Sequence, residues 1–122
     1  MFASLRRLLG LDSQPIYGGR KRSPKWRALS DRFLKEHPAC AATGRIKGKG
    51  IIVVAHHIIP YHVQPDLELE WENLIPMSEG GTWNAHLWMA HLGEWADWNP
   101  RIREDAAEMK ELLLTRSGRR AA

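Results

Sequence analysis

The chain has 122 residues, 43% of them hydrophobic and 26% charged, with a formal charge of +4 and a pI of about 9.6. This composition excludes a disordered chain; no apolar run approaches the ~20 residues of a membrane span, and one cysteine, Cys40, excludes an intramolecular disulfide. What remains is one soluble domain with a modest core, suited to a reducing cytoplasm, whose basic surface fits a polyanionic partner.

Residues 2–11 read as a short amphipathic helix with Phe2, Leu5, Leu8 and Leu9 on one face. Arg6 and Arg7 interrupt its apolar part and no small-residue cleavage site follows, so a signal peptide is not expected. From Asp12 to Arg22 the composition turns to Gly, Pro, Gln and Ser, as in a linker or arm. Its basic cluster Arg20, Lys21 and Arg22 is either a set of phosphate contacts or a solvated loop. Ser23 and Pro24 predict a helix start, with Ser as N-cap and Pro at the first helical position. Trp26, Leu29, Phe33 and Leu34 recur at helical spacing, and Pro38 ends the helix. Lys25, Arg27, Arg32 and Lys35 fall off the apolar face and could follow a DNA backbone, whereas His37 suits a helix C-terminus. Arg45, Lys47 and Lys49, interleaved with Gly48 and Gly50, make a flexible basic loop and further candidate DNA contacts.

The run Ile51–Ala55 is short and β-branched, and predicts a buried strand carrying His56 and His57 at its end. Neighbouring strand side chains point to opposite faces. One of the pair can therefore hold a metal while the other handles a proton. Residues 61–70 form an irregular loop with His62. Leu74–Met77 predicts a second strand antiparallel to the first, broken at Gly80-Gly81; Thr82 or Asn84 then caps a helix bearing His86 and Leu87. His91 follows His86 by five residues, off the three or four that share an α-helical face, and is open between a third metal ligand or phosphate contact and a structural hydrogen bond. Trp26, Trp71, Trp83, Trp88, Trp95 and Trp98 are expected to pack the core and its lid. A last helix over 102–115 presents Ile102, Ala106, Met109 and Leu113, ahead of a basic tail at 116–122.

Several of these segments resemble the HNH endonucleases, in particular the small phage and bacterial ones. His56-His57-Ile58-Ile59-Pro60, Asn73-Leu74-Ile75 sixteen residues after His57, and His86 thirteen after Asn73 stand in the order of the HNH motif. Lys25-Trp26-Arg27, Phe33 to Cys40, and His91-Leu92-Gly93-Glu94-Trp95 with Asn99-Pro100 are similar to flanking elements of the family. The likeness spans roughly residues 24–106. It implies an α+β fold with a ββα-metal (His-Me finger) core and flanking helices, within a nuclease domain over 23–115 that follows the arm at 1–22. It also implies metal-dependent hydrolysis of DNA, with His57 as general base, Asn73 pinning the loop that orients it, and His56 and His86 as ligands of one divalent ion. Family members commonly carry Asp at the place of His56, although a His pair occurs in the bacteriocin nucleases. Imidazole donors suit Zn²⁺, Ni²⁺ or Mn²⁺ better than an all-oxygen site would, with Mg²⁺ also used in such reactions. Many relatives bind a structural zinc through two Cys pairs, which here fall at Cys40, Thr43, Ser78 and Ala85. With one thiol left no structural zinc is expected, and the segment Trp83–Trp98 is expected to stabilise the domain instead. The implied partners are DNA and the terminase or another phage packaging protein. The alternative is a non-catalytic DNA-binding or packaging-accessory module on the same scaffold.

Overall fold

The computed structural model describes residues 16–17 and 20–121. The helix expected at 2–11 lies outside the described residues. Part of the expected linker is ordered backbone: β1 (Ile16–Tyr17) pairs antiparallel with β2 (Arg20–Lys21). Helix α1 spans Trp26–Glu36, two residues later than the Ser23-Pro24 signal suggests. The reason is non-local. The Ser23 N–H is held by the Glu68 carboxylate, and the Ser23 hydroxyl accepts the Lys25 N–H at 3.1 Å, so Ser23 to Lys25 form a turn ahead of the helix. At the other end the His37 N–H reaches Phe33 O and Pro38 prevents continuation.

The basic loop is shaped by two isolated bridges, Ala39 to Ile46 and Gly48 to Ile51, the second closing a tight turn at Lys49-Gly50. Lys49 and Gly50 both adopt positive φ there, 51° and 85°. Strand β3 then runs Ile52–His57, and β4 runs Leu74–Glu79 antiparallel to it, with Ile52 opposite Glu79 and His57 opposite Leu74. The first strand is longer and less buried than its sequence suggests. It includes both histidines, and Ile52 is 53% exposed because a two-stranded ribbon leaves its ends in solvent.

Each face of the ribbon carries its own core. Phe33 and Leu34 of α1 meet Val53 and Leu74 on one side, flanked by Trp26, Leu29 and Trp71. Ile75 and Met77 face the other side, against Cys40, Ala42, Ala85, Ala90, Ile102 and Ala106. Helix α2 runs Ile102–Ala121, so the helix continues through residues 116–121. Only the start of its expected apolar face is covered. Ile102 and Ala106 are buried, Leu113 is half-buried and Met109 is at the surface. Asn99 fastens this helix to the segment before it. Its N–H donates to Ala90 O, its side-chain amide to Met89 O and to Asp105, and its Oδ1 accepts the Arg101 N–H.

Cys40, Thr43 and Ser78 come together. The Thr43 N–H points at Cys40 Sγ (3.4 Å), the Thr43 and Ser78 hydroxyls are 3.4 Å apart, and Ser78 Oγ donates to Trp83 O at 2.6 Å. Ala85 joins Cys40 in the same core cluster. Burial raises the Cys40 thiol pKa, but hydrogen bonds with Ser78 and Thr43 outweigh it and the net shift is downward. The packing here is by small residues. Trp83 and Trp88, expected to supply it, are 47% and 65% exposed. Among the described residues no helix is long and apolar enough to cross a membrane.

Candidate metal centre and adjoining hollow

The pleat of β3 sends its two terminal histidines apart. His56 turns toward His86 and His91, and His57 turns toward α1, where its ring lies 4.2 Å from the Trp26 ring centroid to centroid. Both are buried, yet both line one open hollow of about 350 Å³ with Arg22, Tyr61, His62 and Trp95.

The helix expected around His86 is a five-residue π-turn, His86–Ala90, closed by the His91 N–H on His86 O. Asn84 supplies the cap, its Oδ1 accepting the Leu87 N–H at 3.0 Å. A π-turn stacks residues five apart, where an α-helix stacks those three or four apart. This is why His91 joins His86 on one face despite its α-helical misfit. The three ring centroids are 4.7–5.0 Å from one another. His86 Nε2 lies 3.2 Å from His56 Nδ1 and 3.2 Å from His91 Nε2, and one nitrogen from each ring falls within 4.8 Å of the others. Among the described residues this is the one cluster of three or more His, Cys, Asp or Glu placed to hold a metal ion.

The Glu79 carboxylate accepts from His86 Nδ1 at 2.9 Å, and Asp97 O accepts from His91 Nδ1 at 2.8 Å. Each outward nitrogen therefore carries the hydrogen, and in the neutral rings both inward Nε2 atoms present lone pairs toward one another. His56 Nε2 is buried and has no hydrogen-bond partner. A cation among the three inward nitrogens would satisfy lone pairs that a single shared hydrogen cannot. The two 3.2 Å separations from His86 Nε2 are close to the roughly 3.3 Å edge of a tetrahedron with ~2.0–2.1 Å metal–nitrogen bonds. An oxygen behind each of His86 and His91 is the usual outer support of a histidine ligand. The three histidines thus lie close enough to hold one ion. Trp95 covers His86 and His91 edge-on, its ring 5.1 Å from each.

Electrostatics point the same way. Burial, and then the neighbouring His86, His91 and His57, bring the His56 pKa down to about 2. Burial lowers His86 too, against the raising effect of Glu79. Neutral imidazoles are the form that binds metal.

On the other face the His57 Nε2–H donates to Glu68 O at 2.8 Å, leaving Nδ1 as the lone-pair atom. Burial, opposed by that bond and aided by Arg22, lowers the His57 pKa to about 4. Asn73 ties the intervening loop at both ends of its amide. Its Oδ1 accepts the Ile59 N–H at 2.9 Å, and its Nδ2 donates to Ile59 O at 3.0 Å and reaches Leu67 O at 3.4 Å.

The basic residues divide. The Arg22 guanidinium lies over the Trp26 and Tyr61 rings, 5.7 and 5.3 Å from their centroids, at the hollow. The side chains of Arg20 and Lys21 lie outside the described ones. Arg45 stacks over Trp83 and lines a different hollow with Glu79 and Gly80-Gly81, and Lys47 and Lys49 are exposed on the turn before β3. They do not line the hollow of the histidines. His62 is on its rim, its pKa lowered by burial. His37 packs against Phe33. Glu79 and Glu68 were not marked by any spacing in the sequence; their partners are brought to them only by the fold. Comparison with family models, with curated proteins and with solved structures finds no match for this chain.

Proposed function

We propose that the chain is a metal-dependent endonuclease of HNH type, built on a ββα-metal core and hydrolysing DNA phosphodiester bonds. The observation that carries the reading is the split of the adjacent pair. His56 joins two further imidazoles with outer oxygen support, while His57 keeps a lone pair beside the same hollow. His56, His86 and His91 would hold a divalent cation, which would supply positive charge for a phosphoryl oxygen and for the departing 3′-oxygen. His57 is neutral throughout the physiological range and takes the proton of the attacking water on Nδ1. Its pKa of about 4 makes it a weak base in the free protein; a phosphodiester anion in the hollow raises it by favouring the imidazolium. Asn73 holds the loop between His57 and β4 in the shape this requires. The Arg22 guanidinium, stacked and facing the hollow, is a phosphate contact. Three imidazoles without a carboxylate favour Zn²⁺, Ni²⁺ or Mn²⁺ over Mg²⁺ in binding.

The test is plasmid cleavage by metal-stripped protein with Mg²⁺, Mn²⁺, Ni²⁺ or Zn²⁺ added singly. Metal-dependent nicking is expected, reduced about 10²–10⁴-fold by His57→Ala, while that variant still binds Zn²⁺. Full activity in His57→Ala would remove it as the base. A salt-dependent gel shift with no cleavage under any ion would favour the non-catalytic DNA-binding module.

A further inference from the structure

Glu68 is the one buried carboxylate among the described residues, 6% exposed, and it does not face the metal cluster. Burying a carboxylate is unfavourable unless hydrogen bonds compensate. An apolar side chain would fill the same space without that cost, so packing alone does not account for it. Its two ends work in different directions. The backbone carbonyl accepts the His57 Nε2–H at 2.8 Å. The carboxylate accepts the Ser23 N–H with both oxygens, at 3.0 and 3.2 Å, and lies 3.8 Å from Arg22 Nε. One residue thus connects the backbone entering α1 with the ring of His57, across 45 positions of sequence.

We propose that Glu68 is a positioning residue for His57: its side chain fastens the Arg22-Ser23 segment to the turn whose carbonyl fixes the His57 ring, so that the segment ahead of α1 and the proton acceptor are set as one unit. The inference rests on His57 being that acceptor. The turn Pro65–Leu67 precedes Glu68, and Asn73 Nδ2 reaches Leu67 O from the far side. The carbonyl is therefore held from two directions, by Asn73 through Leu67 and by Ser23 through the carboxylate. Releasing the carboxylate frees the second anchor. His86 and His91 lie across the ribbon and share none of these bonds, so metal binding is not coupled to it.

The experiment compares Glu68→Ala and Glu68→Gln with the unmodified full-length protein, all loaded with Zn²⁺. It reads the His57 ring nitrogens by ¹⁵N NMR, Zn²⁺ affinity by titration, and kcat and KM on plasmid DNA. In the unmodified protein His57 shows the Nε2–H tautomer. In Glu68→Ala that signature is expected to become mixed and kcat to fall about tenfold or more, with Zn²⁺ affinity unchanged. Glu68→Gln, whose amide oxygen still accepts the Ser23 N–H, is expected to restore both. An unaltered tautomer and kcat in Glu68→Ala overturn the proposal. So does a parallel loss of Zn²⁺ affinity in both variants, which would mark Glu68 as merely structural. If the unmodified protein cuts no DNA with Zn²⁺ or with Mg²⁺, Mn²⁺ or Ni²⁺ in its place, the nuclease reading falls, while the ring signal still decides whether Glu68 sets His57.

Discussion

Glu79 shows how much of the cluster's chemistry depends on a single side chain behind it. Its carboxylate fixes the hydrogen of His86 on Nδ1, and so aims a lone pair on Nε2 at His56 and His91. Without it the ring could take either tautomer or rotate, and burial would lower its basicity unopposed. Glu79→Ala is therefore expected to weaken Zn²⁺ binding about 10–100-fold, and Glu79→Gln less, since the amide oxygen still accepts from Nδ1. Calorimetric titration of metal-stripped protein measures this directly; equal affinities in all three proteins would show that Glu79 does not tune the site. The adjacent pair His56-His57 was legible in the sequence because strand pleating acts over short range. Glu79 was not. It is seven residues before His86, on the far side of the Gly80-Gly81 break, and only the turn at Gly81–Trp83 brings the two together.

The π-turn is the element on which the third histidine depends. Sequence periodicity tests for 3.6 residues per turn, and on that test His91 points away from His86. One wide turn changes the answer. It ends in two residues of left-handed backbone, Leu92 at φ 55° and Gly93 at φ 82°, and the Gly93 N–H returns to Leu87 O at 2.8 Å. A Cβ at Gly93 would lie 3.0 and 3.2 Å from two atoms of the Trp88 ring. Gly93→Ala thus combines a left-handed alanine, about 1–2 kcal/mol, with a displaced tryptophan. The expected outcome is a thermal midpoint lower by several degrees and weaker Zn²⁺ binding, because His91 moves with the end of the turn. An unchanged Zn²⁺ titration in the variant would show that the turn's exit does not position His91. Element starts were readable only where local signals acted alone. The β-branched run gave β3, and Pro38 gave the end of α1. The start of α1 was displaced to Trp26 because Glu68, distant in sequence, claims the Ser23 N–H.

At the scale of the whole molecule, a two-stranded ribbon covered by α1 on one side and by the π-turn and α2 on the other has two thin cores, and it buries histidines in both. His56, His57 and His86 all have pKa values lowered, burial being the largest cause in each. In the unfolded chain a histidine takes up its proton as pH falls through about 6.5. In the folded protein His57 resists until about 4 and His56 until about 2. Between those limits the unfolded state binds more protons, so stability is full above pH 6.5 and is lost as pH falls toward 4. For His57 alone the loss at pH 4 is on the order of 3 kcal/mol, a large share of what a domain of this size holds in reserve. Metal-stripped protein is expected to melt at a constant temperature from pH 8 to about 7 and at steadily lower temperatures below 6. Zn²⁺ at 100 times its dissociation constant is expected to add about 2.7 kcal/mol at pH 8. Melting curves over that range, with and without Zn²⁺, measure both effects. A midpoint independent of pH from 8 to 4.5 would mean that the histidines are not held neutral in the fold.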